Sequence, residues 1–250
     1  MSITPRLVES NARILAELRN GNYDFLDLGT NQGGGFNIGA RLGGQRGIGF
    51  ELDPGMAQWN LDQARDVMCL DIRTLPSGVT GIRFAVCSHV LEHLPNIYDV
   101  GSVVAKVASL CSDYLLISGP YFDTEEFLHG HNLKVLHSAM REHRCKFRTI
   151  DLIRLLFDIG LRDFVIGLSE EIRDSANKWI HRADAPADGL WTWEEGKSLP
   201  KPFVSFDPPL HRDIVCIVKL SESIDTGAVL RNFVWGCEKV VFRSCLRFSE

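Results

Sequence analysis

The 250-residue chain has no surplus of positive charge: 27 lysines and arginines face 32 acids, for a formal net charge of −5. A nucleic-acid binder shows a basic footprint, and this balance lacks one. No apolar run approaches the roughly 18 residues of a membrane span. The opening residues, Met1 to Arg6, lack the apolar centre of a signal peptide. The seven cysteines are odd in number, and none is spaced Cys-x-x-Cys as a zinc or redox motif requires. Buried thiols in a reducing cytoplasm are the plain reading. Internal repeats and low-complexity linkers are also missing. What is present, 45% hydrophobic and 24% charged residues, is ordinary for a globular core.

Residues 5–19 read as an amphipathic helix with Leu7, Val8, Leu15 and Leu18 on one face. Short apolar runs bounded by turn residues then predict strands at 23–28, 47–52, 67–70, 82–88 and 114–118. Helical patterns fall between them, including one opened by Asp53-Pro54 and one striped by Val100, Val103, Val104, Val107 and Leu110. A helix over 149–157 and strands at 164–168 and 214–220 complete the pattern. Alternation of this kind predicts an α/β fold: a Rossmann-like, seven-stranded, mostly parallel sheet with helices on both faces. Residues 169–213 hold prolines and tryptophans without periodicity and read as an irregular insertion. Residues 221–250 read as a C-terminal extension on a single domain whose core is about 23–220.

The first strand runs into Asp27-Leu28-Gly29-Thr30-Asn31-Gln32-Gly33. Glycines there let the backbone turn sharply and approach a ligand, and the next helix offers unpaired N–H groups. The spacing from Gly29 does not fit the Gly-x-Gly-x-x-Gly that seats a pyrophosphate. Glu51 closes the second strand, about 20 residues on, where a carboxylate can accept ribose hydroxyls. Asp71 closes the third. One strand-end acid can be a solvated group or a helix cap. Three on successive strands point to a ligand, because open α/β sheets bind ligands at that edge.

On these residues, together with Gly49-Phe50-Glu51-Leu52-Asp53-Pro54, Cys69-Leu70-Asp71 and Phe84 to Pro95 with its Val90-Leu91-Glu92-His93-Leu94-Pro95, the chain resembles the class I S-adenosylmethionine-dependent methyltransferases. The resemblance covers roughly residues 23–120. It implies S-adenosyl-L-methionine as cofactor, held around its methionine part by Asp27, Gly29, Thr30, Asn31 and Gly33. Glu51 and Leu52 would meet the ribose, Asp71 and Ile72 the adenine, and Ser88 and His89 the floor below the sulfonium. Two departures stand out: Asn31 replaces the commonest second glycine, and Ala85 replaces an aspartate usual in the fourth strand. Asparagine tolerates the left-handed backbone such a loop needs.

A sulfonium is already an activated leaving group, so placement supplies much of the acceleration, and a base is needed only for an acceptor that must lose a proton. Histidine suits that role near neutral pH. Among His89, His93, His129, His131 and His137, the first choice is His89, with His131 second. His89-Val-Leu-Glu92-His93 also has the spacing of an inverted zinc-protease motif. That motif belongs on a helix, whereas here it starts at a strand end, which argues against a protease; a divalent-ion site from His89, Glu92, His93 and His131 is the milder alternative, and no metal site is assigned. Trp179, Trp191, Trp193, Phe203 and Phe206 could wall an acceptor pocket or form the insertion's own small core. The expected enzyme acts on oxygen or nitrogen of a small-molecule or carbohydrate acceptor, without nucleic-acid or membrane partners, and the sequence leaves its oligomeric state open. The rival is a non-catalytic binding module of the same fold, which Asn31 and Ala85 favour.

Overall fold

A computed structural model describes residues 3–233 and 236–244. In chain order the strands are β1 (Phe25–Leu28), β2 (Gly47–Glu51), β3 (Val67–Cys69), β4 (Phe84–Ser88), β5 (Tyr114–Pro120), β6 (Leu133–Val135), β7 (Phe164–Asp174), β8 (Ile180–Arg182), β9 (Ser205–Lys219) and β10 (Lys239–Arg243). The α-helices are α1 (Pro5–Arg19), α2 (Gly34–Arg41), α3 (Pro54–Asp62), α4 (Ile97–Ala108), α5 (Glu125–Gly130), α6 (Thr149–Asp158) and α7 (Thr226–Asn232). The main sheet has the order β10-β7-β9-β5-β4-β1-β2-β3. Strands β1 to β5 are mutually parallel, β9 is antiparallel to β5, and β7 and β10 each reverse again.

The central strands β1, β4 and β5 are buried on both faces, with their side chains divided by the period of two. Leu26, Leu28, Ala85, Cys87, Leu115 and Ile117 pack with α1, α4 and α6. Phe25, Phe84, Val86, Tyr114 and Leu116 face the other way, toward Ile38 of α2 and Leu230 of α7. On that face the rings of Phe25, Phe84 and Tyr114 stack across three strands, with centroids 5.3 and 5.0 Å apart and planes within 6°. The chain places β1 beside β4, with α2 on one face and α4 on the other. This is a topological switch point, and a crevice opens there at the carboxyl ends of the strands.

Several expectations need correction. The main sheet has eight strands rather than seven, because the alternating stretch at Lys239 pairs with β7 as β10. The stretch 169–213 is less irregular than its sequence suggests. Strand β7 continues to Asp174, β9 begins at Ser205, and the two pair from Ser169↔Asp213 to Asp174↔Ser205. The extension is hidden in the sequence because Ser169-Glu-Glu-Ile-Arg-Asp174 is mostly charged and Pro208-Pro209 reads as a breaker. Between these strand ends, β8 pairs with β6 in a separate two-stranded sheet. Its small core holds Leu133, Val135, Ile172, Ile180 and Phe206, with Trp179 packed against it. Trp191 and Phe203 are exposed instead.

In α1 the buried stripe is Leu7, Ile14 and Leu18. Val8 lies one 100° step off that stripe and is exposed. Helix α6 starts at Thr149 with Arg148 at its N-cap position, and Leu110 lies just past α4. Six cysteines are free thiols, four of them buried, while Cys245 and the end of the extension lie outside the described residues. No helix among the described residues is long and apolar enough to cross a membrane.

Candidate active site

The loop after β1 is shaped by left-handed residues. Gly29 has φ +69°, Asn31 +42° and Gly33 +81°, so Asn31 does adopt the backbone that asparagine tolerates. A Cβ on Gly29 would lie 2.4 Å from Val90 Cγ2, which leaves only glycine at that contact. The loop is tied to β2 through Gly29 N–H and Thr30 N–H, both donating to Phe50 O at 2.9 and 3.1 Å. Glu51, at the end of β2, completes the clamp. One carboxylate oxygen accepts from Asn31 N–H at 2.7 Å and the other from Asp53 N–H at 2.9 Å. The Asp53 side chain in turn caps α3.

A cavity of about 420 Å³ opens beside this clamp. The glycine loop contributes Gly29 and Asn31 to its wall, the end of β2 contributes Glu51 and Leu52, and the turn after β3 contributes Asp71 and Ile72. Past the end of β4 come His89 and, from the following turn, His93. Asp71 caps its turn by accepting from Arg73 N–H at 2.9 Å. The Arg73 guanidinium holds the same carboxylate at 2.6 Å and keeps its pKa below the ordinary carboxylate value. Glu51, Asp71 and His89 therefore meet around one space, as the sequence suggests.

Four other expected contacts lie beneath the wall rather than on it. Asp27 and Thr30 are almost wholly buried. A Cβ on Gly35 would lie 1.8 Å from Asp27 Oδ1, so the loop folds down over this carboxylate. Burial, with the charge of Glu51, pushes Asp27 up to about 7 against the pull of Thr30 and Arg65. Gly33 sits against the Arg65 guanidinium. Ser88 Oγ accepts from Ser118 Oγ at 3.0 Å. His131 is not brought to the cavity at all. It follows α5, where its Nδ1 lies 2.9 Å from Phe127 O and its ring packs on Phe127. None of the tryptophans of 169–213 lines the cavity.

His89 is the most loaded position. It is a non-glycine residue at φ +50°, a conformation that costs free energy and collects at functional sites. Its Nδ1 lies 3.4 Å from Glu92 and its Nε2 3.7 Å from Asp213. Burial pulls its pKa down, but the neighbouring carboxylates of Glu92 and Asp213 outweigh burial, and the net shift is upward. Asp213 is gripped by Arg212 at 2.6 Å. Arg212 also pairs with Glu170 at 2.8 Å and lies 4.2 Å over the Trp179 ring. His137 and His143 are buried nearby, and their pKa values are lowered by burial above all. Sequence reasoning missed Arg212, Asp213 and His143. No spacing links residue 213 to residue 89, and only the antiparallel pairing Pro120↔Asp213 brings them together.

No family model and no curated protein matches the sequence. Solved structures do match the fold. A SAM-dependent methyltransferase from Archaeoglobus fulgidus aligns over 86% of this chain and 94% of its own, with TM-score 0.53 and 18% identity. A protein of Bacillus halodurans C-125, described provisionally as a methyltransferase, aligns over 85% and 99%, with TM-score 0.51 and 13% identity. Magnesium protoporphyrin IX methyltransferase from Synechocystis PCC 6803 with bound SAM covers 86% and 79%, at TM-score 0.43 and 14% identity. The chain has the Rossmann-like fold of class I methyltransferases.

Proposed function

We propose that this chain, with its class I methyltransferase fold, is an S-adenosylmethionine-dependent methyltransferase acting on oxygen or nitrogen of a small molecule or sugar. One observation carries the reading: a single cavity is walled by the ends of β1, β2, β3 and β4, with Glu51, Asp71 and His89 on its surface. Its volume lies in the range of small-molecule and cofactor sites. The residues fit the cofactor. Glu51 faces the cavity with acceptor capacity beyond its two backbone bonds, as recognition of ribose hydroxyls requires. Asp71 and Ile72, also at the cavity wall, are assigned to the adenine edge. The glycine loop presents backbone rather than side chain at Gly29, which leaves room for a methionine moiety. In this reading residues 1–250 work as one domain.

When bound, the cofactor supplies a methyl group on a positively charged sulfur. The protein's part is to place the acceptor in line with that methyl, to exclude water, and to hold the acceptor's proton. In this reading His89, at the cavity wall, takes that proton. Glu92 and Asp213 behind it stabilise the cation that results. His131, held by Phe127, has no part in this step. The test is incubation of the protein with S-adenosylmethionine carrying an isotope-labelled methyl group and an extract of small metabolites. Label appearing in an extract component supports the reading. Binding of cofactor without any labelled product, across acidic to alkaline pH, favours the binding-module alternative.

A further inference from the structure

Behind the cavity the protein buries an acid with no close hydrogen bond. Glu92 is 1% exposed, and neither carboxylate oxygen has a hydrogen-bond partner among the described residues. Its contact with His89 Nδ1, at 3.4 Å, is long for a charge-assisted bond. A buried carboxylate in such a position is costly unless it is paired or coordinates a metal ion. His143 is also buried, and its Nδ1 has no hydrogen-bond partner. The rings of His93 and His143 meet edge to face at 4.9 Å.

We propose that Glu92, His93 and His143 form a divalent metal site of the zinc type. A carboxylate oxygen and one nitrogen from each ring all lie within 4.8 Å of one another. Tetrahedral zinc with bonds of about 2.0–2.1 Å places its ligand atoms about 3.4 Å apart. Side-chain rotation has to close each pair by little more than about 1 Å. His93 Nδ1 lies 3.2 Å from Glu142 O. A backbone carbonyl on one ring nitrogen fixes the tautomer that leaves the other to bind metal, as is general for metal-bound histidine. Two imidazoles and one carboxylate make a zinc set with an open fourth position, and imidazole selects against magnesium and calcium. Because His93 also lines the cavity, the metal site adjoins the space proposed for the cofactor. The sequence shows the Glu92-His93 pair and suggests His131 as the later histidine, whereas the structure supplies His143, 50 residues beyond His93 on an irregular loop.

The test needs no methyl acceptor, so its outcome is separate from that of the methyl-transfer reading. The full chain, with any affinity tag removed, is stripped with a chelator and titrated with zinc chloride by calorimetry. Cobalt absorption reports coordination. One zinc per chain and a tetrahedral cobalt spectrum are expected. His93→Ala, at an exposed position, and Glu92→Gln should each weaken zinc binding at least about tenfold, while His129→Ala leaves it unchanged. His93→Ala keeps the test decisive if the buried Glu92 variant fails to fold. Absence of stoichiometric zinc binding by the folded wild-type chain overturns the site. So does zinc binding that survives His93→Ala at full strength.

Discussion

Gly35 lies directly over Asp27: a Cβ at residue 35 would sit 1.8 Å from the carboxylate oxygen. The first helix after the glycine loop thus starts against a buried acid, with no space for a methyl group between them. Gly35→Ala should destabilise the chain by about 1–3 kcal/mol, the usual range for overpacking. Gly34, where a Cβ would meet nothing within 4 Å, is the control. Gly34→Ala should change stability by no more than about 0.5 kcal/mol. Urea denaturation of the two variants checks the contrast, and equal losses would contradict it.

Asp27 itself sets a pH dependence. Its ordinary value of 3.8 rises to about 7 in the folded chain, chiefly through burial. Between those values the folded state holds a proton that the unfolded chain has lost, so this group's contribution to stability falls as pH rises from about 4 to 7. At about 1.4 kcal/mol per pH unit the loss is at most roughly 4 kcal/mol. Asp27→Asn removes the titration. Its stability relative to wild type should climb across that window and level off above pH 7. A difference that stays flat from pH 4 to 8 would contradict the assignment.

His89 combines strain with function. Its φ of +50° suits glycine better than any residue with a Cβ. His89→Gly should therefore be more stable than His89→Ala by roughly 1 kcal/mol. Both should lose product formation by about 100-fold or more if His89 is the base, with cofactor affinity little changed. Thermal denaturation and a methyl-transfer assay on the same samples separate the two effects. An alanine variant as stable as the glycine variant would show that the backbone is not strained.

The ring stack under the switch point is a third check on the fold. Phe84 is fully buried between Phe25 and Tyr114. Phe84→Ala should cost about 3–5 kcal/mol, measured by chemical denaturation. Phe84→Leu, which fills most of the volume, should cost less than half as much.

The parallel half of the sheet was legible because β1 to β5 are apolar runs between turn residues, with helical patterns following β1, β2 and β4. The far ends of β7 and β9 were not. Their charged and proline-containing residues contradict local strand propensity, and mutual pairing overrides it. Strand-end placement was legible where it depends on position alone: Glu51, Asp71 and His89 all reach the cavity. Depth was not legible. Asp27 has the right type and position, yet Gly35 lets the loop close over it. The groups behind His89 come from β9 and from the loop before α6. No periodicity or spacing links them to β4.

The central claim is that Glu51 and Asp71 recognise one adenosyl ligand from neighbouring strand ends. Calorimetric titration with S-adenosylmethionine tests it most directly. The wild-type chain should bind, and Glu51→Ala should bind roughly 30- to 150-fold more weakly, the equivalent of about 2–3 kcal/mol of lost charge-assisted bonds. Glu51→Gln, which keeps an acceptor for Asn31 N–H, should fall between them. A folded wild-type chain that takes up no cofactor, or a Glu51→Ala variant of undiminished affinity, would contradict the account.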